Sequence, residues 1–197
     1  MHGRSIGVFF AGFALGALSI TVLLWWSGAL PPARVAADSA PGSVAVIVEP
    51  RGIGLPIAGL RAKDIVDTYS QRRGGARAHE ATDILAPRGT PVLAVDAGTI
   101  KKLFTSKPGG LTVYQFDQGE VYCYYYAHLD RYAEGLKEGM TVKRGDRIGY
   151  VGTTGNADPG TPHLHFAIFK IGPEKRWWDG TPINPYPMLM DAASPKR

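Results

Sequence analysis

From about residue 74 the sequence falls into short runs rich in β-branched and aromatic residues, TPVLAVDAGTIKKLF, GLTVYQF and EVYCYYYAHL, separated by the turn clusters TSKPGG and FDQG. Runs of this length bounded by glycine, proline and aspartate predict consecutive antiparallel strands. The glycine-punctuated stretch GMTVKRGDRIGYVGTTGN adds short strands and turns, and no helix of ordinary length is expected there. The expected fold class is mostly β: an antiparallel sheet with one face on a core and the other left as an open groove. Its 25 glycines, 15 prolines and nine tyrosines suit a turn-rich sheet, and 197 residues suffice for one domain with extra sequence but not for two full ones.

The extra sequence lies at the front. Ile6 to Trp26, IGVFFAGFALGALSITVLLWW, carries no charge, and at ~1.5 Å per residue it spans roughly 30 Å, the thickness of a bilayer core. It reads as a transmembrane helix or uncleaved signal anchor, with residues 1–5 cytoplasmic: Arg4 precedes it and Trp25 and Trp26 close it. Ser27 and Ala29 offer the competing reading of a cleaved signal peptide. Either way the remainder is expected outside the cytoplasmic membrane. Residues 27–55 are rich in Ala, Pro and Ser and read as a linker, able to reach on the order of 90 Å when extended. Residues 56–73 form a lead-in without obvious chemistry, and 190–197 a C-terminal tail.

The net charge of +5 is spread along the chain, which suits an anionic surface or polymer and argues against a nucleic-acid partner. The single cysteine, Cys123, excludes an intrachain disulfide and a cysteine-rich zinc site; it reads as a small buried hydrophobe in a strand.

Chemistry points to the histidines. Of five, His2 precedes the apolar run, leaving His79, His128, His163 and His165. In TPHLHFAIF the period of two puts His163 and His165 on one side of a strand and Leu164 and Phe166 on the other. His79 opens HEATD, with Asp83 four residues on, and histidine and carboxylate donors suit zinc. The same five residues imitate the HExxH helix of zincins, where Glu80 would be the general base, but flanking glycines and prolines leave barely a helical turn. His79 and Asp83 are therefore expected in a loop and at a strand start. Alternation puts His128 on the face of Tyr122, Tyr124 and Tyr126, either at the edge of an open groove or as an exposed strand end.

Taken together, HEATDILAPRGTPVLAVDAGTI, YYYAHLDRY, VKRGDRIGYVGTTGN and TPHLHFAIF, in this order and spacing, resemble the lysostaphin/LytM-type zinc metalloendopeptidases of bacterial cell walls. The resemblance covers residues 74–189, including the closing segment DGTPINPYPML, and implies the duplicated-hybrid-motif type of fold. It implies one Zn2+ per chain on His79, Asp83 and His165, with His128 and His163 handling protons and transition-state charge in shares the sequence leaves open. The implied partners are peptidoglycan peptides, cross-links or stem peptides, met from the periplasmic or extracytoplasmic side of the membrane that holds the N-terminal helix. Ala81 departs from the family's usual glycine two residues after the first ligand, and glycine's φ > 0 conformations are costly for alanine. The two tryptophans of RWWDG are expected either to wall the groove or to pack on the core. A rival reading is a catalytically silent wall-binding or amidase-activating domain on the same fold, since function resides in the site rather than the fold. Another is a zincin-like reaction with Glu80 as base.

Overall fold

The structure, a computed structural model, describes residues 52–73 and 77–194. In chain order these form β1 (Arg72–Arg73), β2 (Arg77–Ala78), β3 (Thr82–Leu85), β4 (Pro91–Leu93), β5 (Gly98–Ser106), β6 (Gly110–Asp117), β7 (Tyr122–Tyr132), β8 (Thr141–Val142), β9 (Arg147–Val151), β10 (His163–Ile171), β11 (Gly180–Ile183) and the helix α1 (Tyr186–Ala193). Among the described residues nine strands make one sheet, ordered β11-β10-β7-β6-β5-β8 along its main path; β3 also pairs with β10, and β9 joins β4 to β7. Every pairing is antiparallel. β1 and β2 pair separately.

The two faces divide by residue parity. Tyr124, Tyr126, Phe166, Leu164, Ile168 and Ile84 point to one side and are fully buried. The fully buried Tyr126 phenol is satisfied rather than merely packed, as burial without a partner would be costly. The Tyr126 hydroxyl donates to Gln115 Oε1 at 2.9 Å and accepts from Val95 N–H at 3.0 Å, while Gln115 Nε2 donates to the Asp96 carbonyl at 2.7 Å. A smaller cluster of Phe116, Cys123 and Ile171 forms on the opposite side, covered by Tyr114, Phe169 and Trp177. Cys123 is buried in β7 as expected.

The lead-in packs on the same body: Ile53, Ile57 and Ile65 are buried in the main core, Gly54 N–H donates to the Val95 carbonyl, and Leu93 N–H to the Pro56 carbonyl. Residues 52–73 bury isolated apolar side chains through irregular backbone, which carries no periodic pattern. One expectation needs correction: in β7, Tyr122, Tyr124 and Tyr126 belong to the core and His128 does not share their side. The proposed transmembrane segment, residues 6–26, lies outside the described residues, as do most of the linker and the last three residues of the tail. Among the described residues no helix is long and apolar enough to cross a membrane.

Candidate metal centre and active-site groove

The centre is built on a register. In the β3–β10 pair, Asp83 lies directly opposite His165, so the two side chains share a face and stand close together. His165 Nδ1 is 3.1 Å from Asp83 Oδ1. His79, in the turn that leads from β2 into β3, completes a triangle: its Nε2 is 3.0 Å from His165 Nδ1 and 3.1 Å from Asp83 Oδ1. His79, Asp83 and His165, the three expected ligands, are thus brought together. No helix forms around HEATD, and Glu80 sits in the turn with φ 58°. The left-handed residue of this turn is Glu80; Ala81, fully buried, is not one of the positive-φ residues, so its missing glycine imposes no φ strain.

His163, two residues before His165 on the same face, has Nε2 3.9 Å from Asp83 Oδ1. His128 comes from the other neighbour of β10. There β7 carries one residue more than β6 between the pairs Val113–Tyr126 and Leu111–Leu129, which is a β-bulge. His128 takes φ 59° at this bulge, so Ala127 and His128 both face the groove while Leu129 returns to the core. The alternation that placed His128 beside the core tyrosines fails at this one residue. The ring of His128 lies 4.9 Å from that of His163 and 5.6 Å from that of His165.

Each imidazole is oriented from behind. His79 Nδ1 donates to the Thr68 carbonyl at 3.0 Å, His128 Nδ1 to the Thr154 carbonyl at 2.8 Å, and His163 Nδ1 to the Thr161 carbonyl at 2.8 Å. A carbonyl only accepts, so each Nδ1 carries a proton, and the tautomer this selects in a neutral ring has the Nε2 lone pair directed to the groove. Thr154 is held by close backbone approach: a Cβ on Gly155, at φ +80°, would lie 2.3 Å from Gly110 N and 2.5 Å from the Pro108 carbonyl oxygen. Thr68, a buried residue of the lead-in, was missed in the sequence. Its hydroxyl accepts Asp83 N–H at 2.9 Å and donates to the Ala81 carbonyl at 3.1 Å, so one residue braces both His79 and the strand of Asp83. Thr154 and Thr161 lie inside quoted motifs, but only the fold shows their carbonyls at work.

Charge follows from burial. Burial pushes the Asp83 carboxyl up, but the His165 and His79 imidazoles against it hold it well below the usual carboxylate range. Burial lowers His165 despite Asp83 beside it. Burial, aided by His165 and His163 and opposed by the Thr154 carbonyl, pushes His128 down to about 4. Asp83 is thus held in its anionic form and His165 is biased toward its neutral one, the forms in which these side chains bind a metal ion. Edges of 3.0–3.1 Å are close to the spacing of ligands lying ~2.0–2.2 Å from one tetrahedral zinc ion. These residues stand in a groove of about 630 Å³ walled by Tyr114, Tyr125, Phe169, Leu85, Asn156 and Asp158. RWWDG walls a cleft beside it: Trp177 is half-buried against Phe104 and Tyr114, and Trp178 is 64% exposed.

The profile of peptidase family M23 matches residues 77–185, more than half of the 197-residue chain. The sequence is 37% identical over 121 residues to the L-Ala–D-Glu endopeptidase of Bacillus subtilis, a match covering 59% of this chain and 36% of that protein. It is 36% identical over 102 residues to the peptidoglycan DD-endopeptidase ShyC of Vibrio cholerae, covering 52% and 22%. The chain thus matches only about a third or less of either relative's length. The fold is similar to the catalytic domain of the antimicrobial peptidase lysostaphin from Staphylococcus simulans, with 30% identity, a TM-score of 0.54, and coverage of 64% of this chain and 90% of that one.

Proposed function

The chain belongs to peptidase family M23, and from that premise we propose that it is a zinc-dependent endopeptidase hydrolysing peptide cross-links or stem peptides of bacterial peptidoglycan. The observation that carries this reading is the triangle of His79 Nε2, Asp83 Oδ1 and His165 Nδ1, with His128 and His163 in the same groove. Two imidazoles and a carboxylate fit zinc and leave a fourth tetrahedral position. Zinc held there supplies Lewis acidity, polarising a carbonyl and bringing the pKa of a water to ~7.

The remaining work falls to the chain's own groups. His128 and His163 each offer a lone pair at Nε2, with Nδ1 fixed by a carbonyl. Either ring can accept the proton of the attacking water, and once protonated either can hydrogen-bond the developing oxyanion or return the proton to the leaving amine. The groove floor of β3, β7 and β10 holds an extended peptide across these groups, with aromatic walls to exclude water. In the same reading residues 6–26 anchor the chain in the cytoplasmic membrane and the linker carries the domain to the wall outside; the uncharged 21-residue run supports this.

The test is digestion of isolated sacculi by the purified full chain, with metal content measured in parallel. Expected are one zinc per chain, new peptide termini in the walls, loss of both on chelation, and loss of both in His165→Ala. A zinc-loaded chain that releases nothing from walls overturns the peptidase reading in favour of a silent binding domain.

A further inference from the structure

Next to the groove lies a second, smaller cleft of about 160 Å³. Tyr114, Tyr125, Phe169, Trp177, Trp178 and Asp179 line it. Its rings meet at angles rather than in a flat stack: Tyr114 and Tyr125 centroids are 4.7 Å apart, Tyr114 and Trp177 4.7 Å, and Trp177 and Trp178 5.2 Å at 78°. Aromatic rings set at angles around a small space give it a polarisable apolar lining on more than one side. Trp178 is 64% exposed, an apolar ring left in water at the mouth. Asp179 is the one charged lining residue, and its carboxylate is in no ion pair among the described residues. Three lysines are already engaged elsewhere: Lys101 with Glu120, Lys102 with Glu138, and Lys175 with the Glu120 carbonyl.

We propose that this cleft binds an ammonium-bearing side chain, that of a lysine-like diamino residue, on the peptide seated in the groove. Rings and a lone carboxylate around a small space are complementary to an alkylammonium group, whose methylenes pack on the rings while its charge meets Asp179. A sugar ring fits less well: it would bring several hydroxyls, and the lining has one carboxylate and a few phenol and indole hydrogens to meet them. The cleft adjoins the candidate centre, since Tyr114, Tyr125 and Phe169 line both spaces and the Tyr125 ring lies 5.9 Å from that of His165. A residue held in the cleft therefore lies close in sequence to the bond presented at His165, so the cleft selects which bond is cut. This deepens the peptidase reading and rests on it for the identity of the peptide.

The test compares two synthetic stem peptides identical except for lysine or norleucine at the diamino position. With the zinc-loaded full chain, kcat/KM and, by calorimetry, Kd are measured for each. The lysine peptide is expected to be favoured about 3- to 30-fold. Asp179→Asn and Trp178→Ala, both at exposed positions, are expected to shrink that ratio to below about 2-fold. Equal treatment of the two peptides by the unaltered chain, or an unchanged ratio in both variants, overturns the proposal. So does a variant-sensitive gain on adding a sugar to the norleucine peptide. Lysine preference in binding without any hydrolysis sinks the peptidase reading alone, whereas hydrolysis without lysine preference sinks the cleft alone.

Discussion

Strands β10 and β7 lie side by side and both deliver histidines to the groove, by opposite means. β10 is regular: His163 and His165 face the groove, Leu164 and Phe166 the core, and its register sets His165 against Asp83. β7 is regular only as far as Ala127. An extra residue and a left-handed His128 then turn one imidazole out of the core face that Tyr124 and Tyr126 occupy. A left-handed non-glycine residue costs about 1 kcal/mol or more. Here it is offset by hydrogen bonds from His128 N–H to the Gly109 carbonyl and from its ring to the Thr154 carbonyl. The contrast teaches that ligands needing close mutual contact can come from regular pairing, while a group that approaches from a neighbouring strand at a different height needs a break in the pairing.

The largest expected effect separates the two kinds of histidine. His128→Ala and His163→Ala are each expected to lower kcat on cell-wall peptides roughly 10²–10⁴-fold while zinc remains stoichiometric, as read by metal analysis. Loss of zinc from His128→Ala would merge it with the ligands and end the distinction.

A middle-sized effect concerns what steadies the regular side. Thr68→Val keeps the shape of the side chain but removes the hydroxyl that accepts Asp83 N–H and donates to the Ala81 carbonyl. Zinc affinity, measured by competition with a chelating dye, is expected to fall about 10- to 100-fold, with Thr68→Ser close to the unaltered chain. Equal affinities in the valine and serine variants would show that regular pairing alone holds the ligands.

The smallest effect sharpens the contrast at the backbone. At position 128 glycine relieves the left-handed strain, so His128→Gly is expected to be more stable than His128→Ala by about 1 kcal/mol. At position 163, in extended strand, the order reverses by about 0.5–1 kcal/mol. Urea denaturation of the metal-free variants reads both differences, and the same order at both positions would refute the bulge as the reason His128 faces the groove.

The histidine pair on β10 was legible because period-two alternation is a local property of an extended chain, and the turn clusters that delimit β5, β6 and β7 were legible for the same reason. His79 and Asp83 were visible as candidates because proline and glycine around HEATD deny it a helix. The side taken by His128 was not legible, since a bulge depends on the partner strand's register, and parity read along β7 alone pointed it toward the core. Thr68 left no sequence signal at all: its carbonyl and hydroxyl matter only once the lead-in is laid beside His79 and β3. The sequence by itself determined which residues could bind a metal, because donor chemistry belongs to the side chain. The tertiary structure alone decided which of them meet, which carbonyls fix their tautomers and where Trp177 and Trp178 stand, because those depend on contacts between segments far apart along the chain.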